Sequence, residues 1–247
     1  MKIDLKRIQT FVLNLPTNTM RVAHMTALCE RFNLNWAFVE GVKCRPPHIG
    51  CNINHLRAYR QDQAKTPLLI LEDDCEATDK FTNILDIPPD ADVVYLGATS
   101  CGIVPELDSK AFEGAVIVTD HDEQFCRVHN MTSGHAVLFV TEKALKLAIE
   151  RSLFYTVEKF RPSDVGLAEI QSELIAYAYK QPMLYQSDKL QGEGKQHMER
   201  MTKIDLDEVP WREAIRVFVS GVEHYLKLTE VEDGRWHWRI DGTPKNE

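Results

Sequence analysis

Glu72, Asp73 and Asp74 follow directly on Pro67-Leu68-Leu69-Ile70-Leu71, the clearest buried strand in the chain. Three carboxylates this close repel, and one of them must protonate unless a cation or a hydrogen-bond donor compensates. A divalent metal answers that need with little else. Hard oxygen ligands suit magnesium or manganese, and one or two carboxylates plus diphosphate oxygens make the usual incomplete shell. The competing account is an acidic loop that caps a helix or faces water. The apolar strand before the cluster favours a site, because open α/β sheets bind ligands at the carboxyl ends of their strands.

The elements around the cluster can be read from periodicity and punctuation. Thr10 to Leu15 is an apolar run closed by Pro16, the form of a buried strand and turn. Met20, Ala23, Ala27, Leu28 and Phe32 then recur at helical spacing up to Asn33, and Trp36 to Val39 supplies a second strand. Asn52 can cap a helix through His55, Leu56 and Tyr59 to about Gln63. After the acidic strand, a helix is expected from Lys80 to Leu85 and a strand from Asp92 to Leu96. This alternation predicts an α/β domain with a mixed, mostly parallel central sheet covered by helices.

Beyond the loop from Ser100 to Gly114, the runs Ala115 to Thr119, Phe125 to His129 and Ala136 to Val140 read as strands with no helix between them, so antiparallel pairs enter. Thr141 caps a helix, Asp164 to Tyr179 reads as a longer one, and Pro182 to Tyr185 as a closing strand. The polar stretch from Gln186 to Gln196 reads as mobile. In the tail, Trp211 to Lys227 fits an amphipathic helix, and Trp236 with Trp238 forms an aromatic pair on a terminal strand.

A chain of 247 residues with 44% hydrophobic and 27% charged residues supports one large domain, placed at 1–200, with a small extension at 201–247. A net charge of −8 argues against a protein that covers long stretches of nucleic-acid backbone. Met1 to Arg7 mixes charges where a signal peptide needs an apolar run, and no stretch approaches the ~18 apolar residues of a membrane span, so a cytoplasmic protein is expected. The six cysteines are scattered without a Cys-x-x-Cys pair, which points to reduced thiols, with Cys29, Cys51 and Cys126 as packing residues.

Several of these segments, in this order, resemble the lipooligosaccharide-type glycosyltransferases of family 25. They are Asn14-Leu15-Pro16, Ile49-Gly50-Cys51 with His55, Leu69-Ile70-Leu71-Glu72-Asp73-Asp74, Ser133 to Phe139, Pro162-Ser163-Asp164, and Gln181-Pro182 with Tyr185-Gln186-Ser187. The likeness spans about residues 8 to 190. It departs from the family pattern at Thr17, His48 and Asn54, where the family has Arg, Glu and Ser. Asn130 to Ala136 also resembles divergent bacteriophage members.

The resemblance implies a single nucleotide-sugar-binding domain of GT-A type. It implies an inverting transfer from a nucleotide-diphosphate sugar, a UDP-sugar in the first instance, to a hydroxyl on a glycan or lipid-linked saccharide. On that reading Asp74, with Glu72 or Asp73, holds the manganese or magnesium ion that neutralises the departing diphosphate. Asp164 is the base for the acceptor hydroxyl, with a helix N-cap as its competing role. Asn14, Leu15 and Arg21 cradle base and ribose, Arg21 standing in for the missing guanidinium. His55 is a donor contact or a core histidine satisfied by a backbone partner. His135 adds a metal ligand or a diphosphate contact, and Lys189 belongs to a loop that closes over donor phosphates or is merely solvated.

Two rivals keep part of this picture. One retains the donor and takes a hydroxymethylated base in DNA as acceptor. The other is a nucleotide-sugar binding module without turnover.

Overall fold

The computed structural model describes residues 1–99, 101–103, 114–159, 161–187, 190, 200–201, 214–219, 222–231 and 235–240. Eight strands form the central sheet: β1 (Gln9–Asn14), β2 (Trp36–Glu40), β3 (Leu68–Glu72), β4 (Val93–Tyr95), β5 (Val118–Asp120), β6 (Phe125–Val128), β7 (Ala136–Phe139) and β8 (Ala176–Tyr179). Their spatial order is β5-β6-β8-β4-β7-β3-β1-β2. The sheet is mixed, as the alternation implied, with β1/β2, β1/β3 and β4/β8 parallel. Antiparallel pairs take a larger share than the alternation suggested, because β7 inserts antiparallel between β3 and β4. The strands β5, β6 and β8 then pair antiparallel at the far side.

This placement explains why β3 carries nothing but apolar side chains before its acids. Leu68, Leu69, Ile70 and Leu71 are fully buried, paired by β1 on one side and β7 on the other and covered on both faces. Each such side chain contributes about 1.5–3 kcal/mol through burial. Even Val137, Leu138 and Phe139 of β7 are almost completely buried. The ladder runs to the strand end, where the Glu72 N–H donates to the His135 carbonyl at 2.8 Å.

Among the described residues four α-helices accompany the sheet: α1 (Thr19–Arg31), α2 (Pro47–Tyr59), α3 (Glu142–Phe154) and α4 (Ser163–Ile170). Asn18 caps α1, its side chain accepting from the Arg21 N–H, and Thr141 caps α3 as the sequence suggested. Asn33 closes the α1 turn in the left-handed region, with φ 50°. Helix α2 starts at Pro47, five residues before the expected Asn52 cap, since proline at the first helical position gives up an N–H that has no partner there anyway. Asn52 is buried inside α2 and donates to the Arg161 carbonyl at 2.6 Å. Gly50 is what lets α2 lie so close to the preceding chain: a Cβ there would stand 2.5 Å from the Val42 carbonyl oxygen.

Three expected helices are corrected. At Lys80 to Leu85 the Thr78 and Thr82 hydroxyls accept from the Lys80 and Ile84 N–H groups, and Ile84–Asp86 becomes a strand paired with Lys2–Asp4. Helix α4 ends at Ile170, well short of Tyr179. Gln171 turns inward to donate to the Tyr95 hydroxyl and the Met131 carbonyl, and Ala176–Tyr179 enters the sheet between β4 and β6. In the tail, Ala214–Val219, Val222–Val231 and Arg235–Ile240 form an antiparallel three-stranded sheet in place of the helix from Trp211 to Lys227. Its density of Val, Ile, Thr and aromatic residues had favoured strands over the amphipathic spacing that was read. Trp236 and Trp238 lie on the last of these strands.

No helix among the described residues is long and apolar enough to cross a membrane. All six cysteines are free thiols, and Cys29 and Cys126 are buried as expected. Cys51 is not a packing residue, since it is exposed on α2.

Candidate functional site

The acidic row leaves β3 and turns at once into Cys75–Ala77, which pairs antiparallel with β9 (Leu184–Gln186). The turn is held from two directions. The Ser187 N–H donates to the Asp74 carbonyl at 2.8 Å, and the Cys75 thiol donates to the His135 carbonyl at 2.8 Å. The carboxylates are therefore displayed by a fixed backbone, with Asp73 and Asp74 buried and Glu72 half-buried.

Each acid has its own compensation. Asp73 takes the Asn14 amide at 2.8 Å and an ion pair from Arg21, whose guanidinium also lies 3.5 Å from Asp74. The α1 cap fixes the backbone of Arg21, and its Nε donates to the Leu190 carbonyl at 2.7 Å. Burial opposes the charge of Arg21, but Asp74, Asp73 and Glu72 outweigh it and raise its pKa further. Burial holds Asp73 above the ordinary carboxyl range, Asp74 adds to this, and Arg21 and Asn14 pull the other way. Glu72 faces His55 instead: Nε2 of His55 lies 3.2 Å from Oε1, and the Gln186 amide donates to Oε2 at 3.3 Å. The same Gln186 nitrogen reaches Asp74 Oδ1 at 3.5 Å, so it ties the two acids together.

On the other side of Glu72 opens a cleft. Its walls come from the start of α2 (His48, Cys51, Asn52), the chain entering β7 (Thr132 to His135), and the start of α4 (Pro162 to Asp164). The last turn of α3 widens into a π-helical turn over Tyr155–Lys159 before the chain reaches Pro162. Asp164 is not the N-cap of α4. Pro162 occupies that position without a side-chain bond, and Asp164 stands in the first turn with Oδ1 accepting from the Val165 N–H at 2.9 Å. Burial first, and the negative charge of Glu72 second, raise Asp164 to about 6.

The expected residues thus divide into groups. Asn14, Arg21, Asp73 and Asp74 converge beneath Leu190, while Glu72 and Asp164 face the cleft. Leu15 is half-buried and its carbonyl accepts from the Asn18 N–H at 2.8 Å, which ties the strand end to the α1 cap. His55 is almost fully buried, but its partners are side chains, Glu72 and Tyr59, where a backbone partner was expected. His135 is buried, with Nδ1 3.3 Å from Ser133 Oγ and Nε2 pressed against Gly97, where a Cβ would lie 1.9 Å from it. Burial lowers its pKa against the opposing charges of Glu72 and Asp74. Lys189 lies outside the described residues.

Among the described residues no group of three or more His, Cys, Asp or Glu side chains is arranged to hold a metal ion. Asp74, Glu72 and His135 therefore do not close on a common point by themselves. Residues that carried no expectation also turn up here. Gln186 belongs to the segment Tyr185-Gln186-Ser187, yet an uncharged amide gives no sign in sequence that it will bridge two acids. Tyr59 is four residues after His55, and helical spacing was a usable signal for that pair.

No protein-family model matches the chain, and no curated protein matches it in sequence. Among solved structures the chain is similar to the CTP:phosphocholine cytidylyltransferase of Streptococcus pneumoniae, with 8% identity and a TM-score of 0.39 over 74% of this chain and 94% of that one.

Proposed function

We propose that this chain is an inverting glycosyltransferase that moves a sugar from a nucleotide-diphosphate donor, a UDP-sugar in the first instance, to a hydroxyl of a saccharide acceptor. The observation that carries the reading is the pairing of two unlike acidic sites, one at the tip of β3 and one across the cleft at the start of α4. Asp73 and Asp74 lie against a cation, as groups that bind a donor do, and Asp164 across the cleft is raised to about 6, as a base working near neutral pH should be. The resemblance to family 25 points the same way.

Asn14 and Arg21 belong to the donor side, the guanidinium being the fixed positive charge nearest to where a diphosphate would lie. The donor set at the β3 tip is partly suited to a divalent ion: its carboxylate oxygens are hard, but among the described residues no third protein ligand stands ready, so diphosphate and water would complete the shell. Asp74, with Glu72 or Asp73, would hold manganese or magnesium there. When bound, such an ion supplies charge neutralisation to the leaving diphosphate. Asp164 takes the proton of the acceptor hydroxyl, and the cleft confines that hydroxyl on the face opposite the donor. Glu72 and Asp164 make the cleft acidic, which disfavours a DNA strand as acceptor.

The direct test is to incubate the protein with a panel of nucleotide sugars, with and without manganese, and measure released nucleoside diphosphate with and without saccharide acceptors. Metal-stimulated release that increases with one acceptor class is expected. Tight donor binding with no release from any donor would leave a binding module instead.

A further inference from the structure

Glu72 is held more firmly than a strand-end carboxylate needs to be. Its Oε1 lies 3.2 Å from His55 Nε2, and the opposite nitrogen of the ring, Nδ1, lies 3.1 Å from the Tyr59 hydroxyl. Tyr59 is itself buried and packs edge-on against Phe139 of β7, ring centroids 5.3 Å apart. The path therefore runs from the core under the sheet, through a histidine with 1% exposure, to an acid at the cleft. Gly134 lines the same spot: a Cβ there would be in ordinary contact, 3.5 Å from Glu72 Oε1 and 3.6 Å from His55 Nε2.

The direction of the protons follows from the groups. An ionised carboxylate only accepts, so His55 must donate from Nε2. A tyrosine hydroxyl can donate, and one proton on the ring then satisfies both bonds if Tyr59 donates to Nδ1. Tyr59 thus selects the ring tautomer, and the tautomer in turn orients Glu72, the arrangement by which outer-shell partners fix a working histidine.

We propose that His55, set by Tyr59, is a positioning residue for the transfer reaction, pinning the Glu72 carboxylate at the junction between the donor acids and the acceptor cleft. The inference rests on the transferase reading for its consequence, but the relay itself has a readout that needs no turnover. Glu72 is where a misplacement would be felt on both sides. Gln186 couples it to Asp74, and it shares the cleft with Asp164. A shift of about 1 Å in such a group costs on the order of tenfold to a hundredfold in rate.

The experiment has two arms. In the first, His55→Leu and His55→Gln are compared with the native chain for transfer kinetics and for thermal unfolding. Gln can place an amide N–H near the position of Nε2, so kcat should fall at least tenfold in His55→Leu and recover substantially in His55→Gln, with donor KM within about threefold throughout. A purely structural role predicts instead that both variants lose activity in step with their unfolding temperatures, and that result overturns the proposal. Full activity in His55→Leu overturns it as well.

In the second arm, ¹⁵N NMR of the imidazole nitrogens, assigned by the signals lost in His55→Gln, should show the proton on Nε2, with that preference weakened in Tyr59→Phe. A proton on Nδ1 in the native chain overturns the relay. If the native chain transfers no sugar but His55 carries its proton on Nε2, the relay stands and the transferase reading fails.

Discussion

Asp73 and Asp74 at the tip of β3 lie beside the cleft that Glu72 shares with Asp164 of α4, and their surroundings differ in kind from those of Asp164. Asp73 and Asp74 share Arg21, and Asp73 has the Asn14 amide besides. Asp164 accepts a backbone bond from its own helix, and the charge that acts on it most is another carboxylate, Glu72. At Asp73 the cation opposes the effect of burial, which still holds the pKa above the ordinary range, and a carboxylate so paired is suited to binding. One that is desolvated beside a like charge gains by taking up a proton and serves to accept one. The difference shows that residue type alone does not assign roles to a cluster of acids, whereas the partners of each acid do.

The largest effect expected is at Asp74. Asp74→Asn removes a donor-side charge while leaving Arg21 its stronger partner, Asp73, so the fold should persist and transfer should fall by ~10³-fold or more. Release of nucleoside diphosphate in a purified, folded variant measures this. Native-like turnover would place the donor acids elsewhere.

Arg21→Met probes the other half of the comparison. Both charged side chains of the Arg21–Asp73 pair are about 11% exposed, and removing the cation strands two buried carboxylates. Breaking a pair of this kind costs about 3 kcal/mol, which a denaturant titration resolves easily. A loss below about 1 kcal/mol would mean that Asn14 and Gln186 already compensate the acids, and the contrast with Asp164 would collapse.

Asp164→Asn should retain donor affinity, since the donor acids are untouched, and lose ~10²-fold or more in transfer. Calorimetric titration with the donor beside a transfer assay separates the two. Weakened donor binding would show that Asp164 belongs to the donor side after all.

How far the site was legible depended on what its residues signal. Four apolar residues running into three acids announced β3 and its tip, and Asn14, Arg21 and Asp164 did come to one region of the fold. The roles within that region were not legible, because they depend on contacts between positions far apart in sequence: Arg21 with Asp73, His55 with Glu72, Gln186 with Asp74. The missed strands have a similar cause. Ala176–Tyr179 continues an apolar stretch that also fits a helix, and only its place between β4 and β6 decides the matter. At Lys80 to Leu85 the hydroxyls of Thr78 and Thr82 decide locally, a signal present in the sequence itself.

The smallest effect is also the one that tests the comparison most directly, because it reads Asp164 by its protonation. With its folded value near 6 and an ordinary unfolded value near ~3.9, the folded state keeps a proton that the unfolded state has released between those pH values. Stability from this group is therefore present below about pH 4 and lost as pH rises through about 6, a change of at most about 3 kcal/mol. Asp164→Asn has no such group, so it should match the native chain near pH 4 and exceed it by several degrees in Tm at pH 7–8. The kinetics should mirror this with opposite sense: only the ionised carboxylate accepts a proton, so kcat/KM of the native chain should climb about tenfold per unit below pH 6 and level off above it. Glu72→Gln, by removing the neighbouring charge, should move that limb to lower pH. A native limb near pH 4, together with a Tm difference that ignores pH, would make Asp164 an ordinary solvated acid and remove the contrast with the β3 tip.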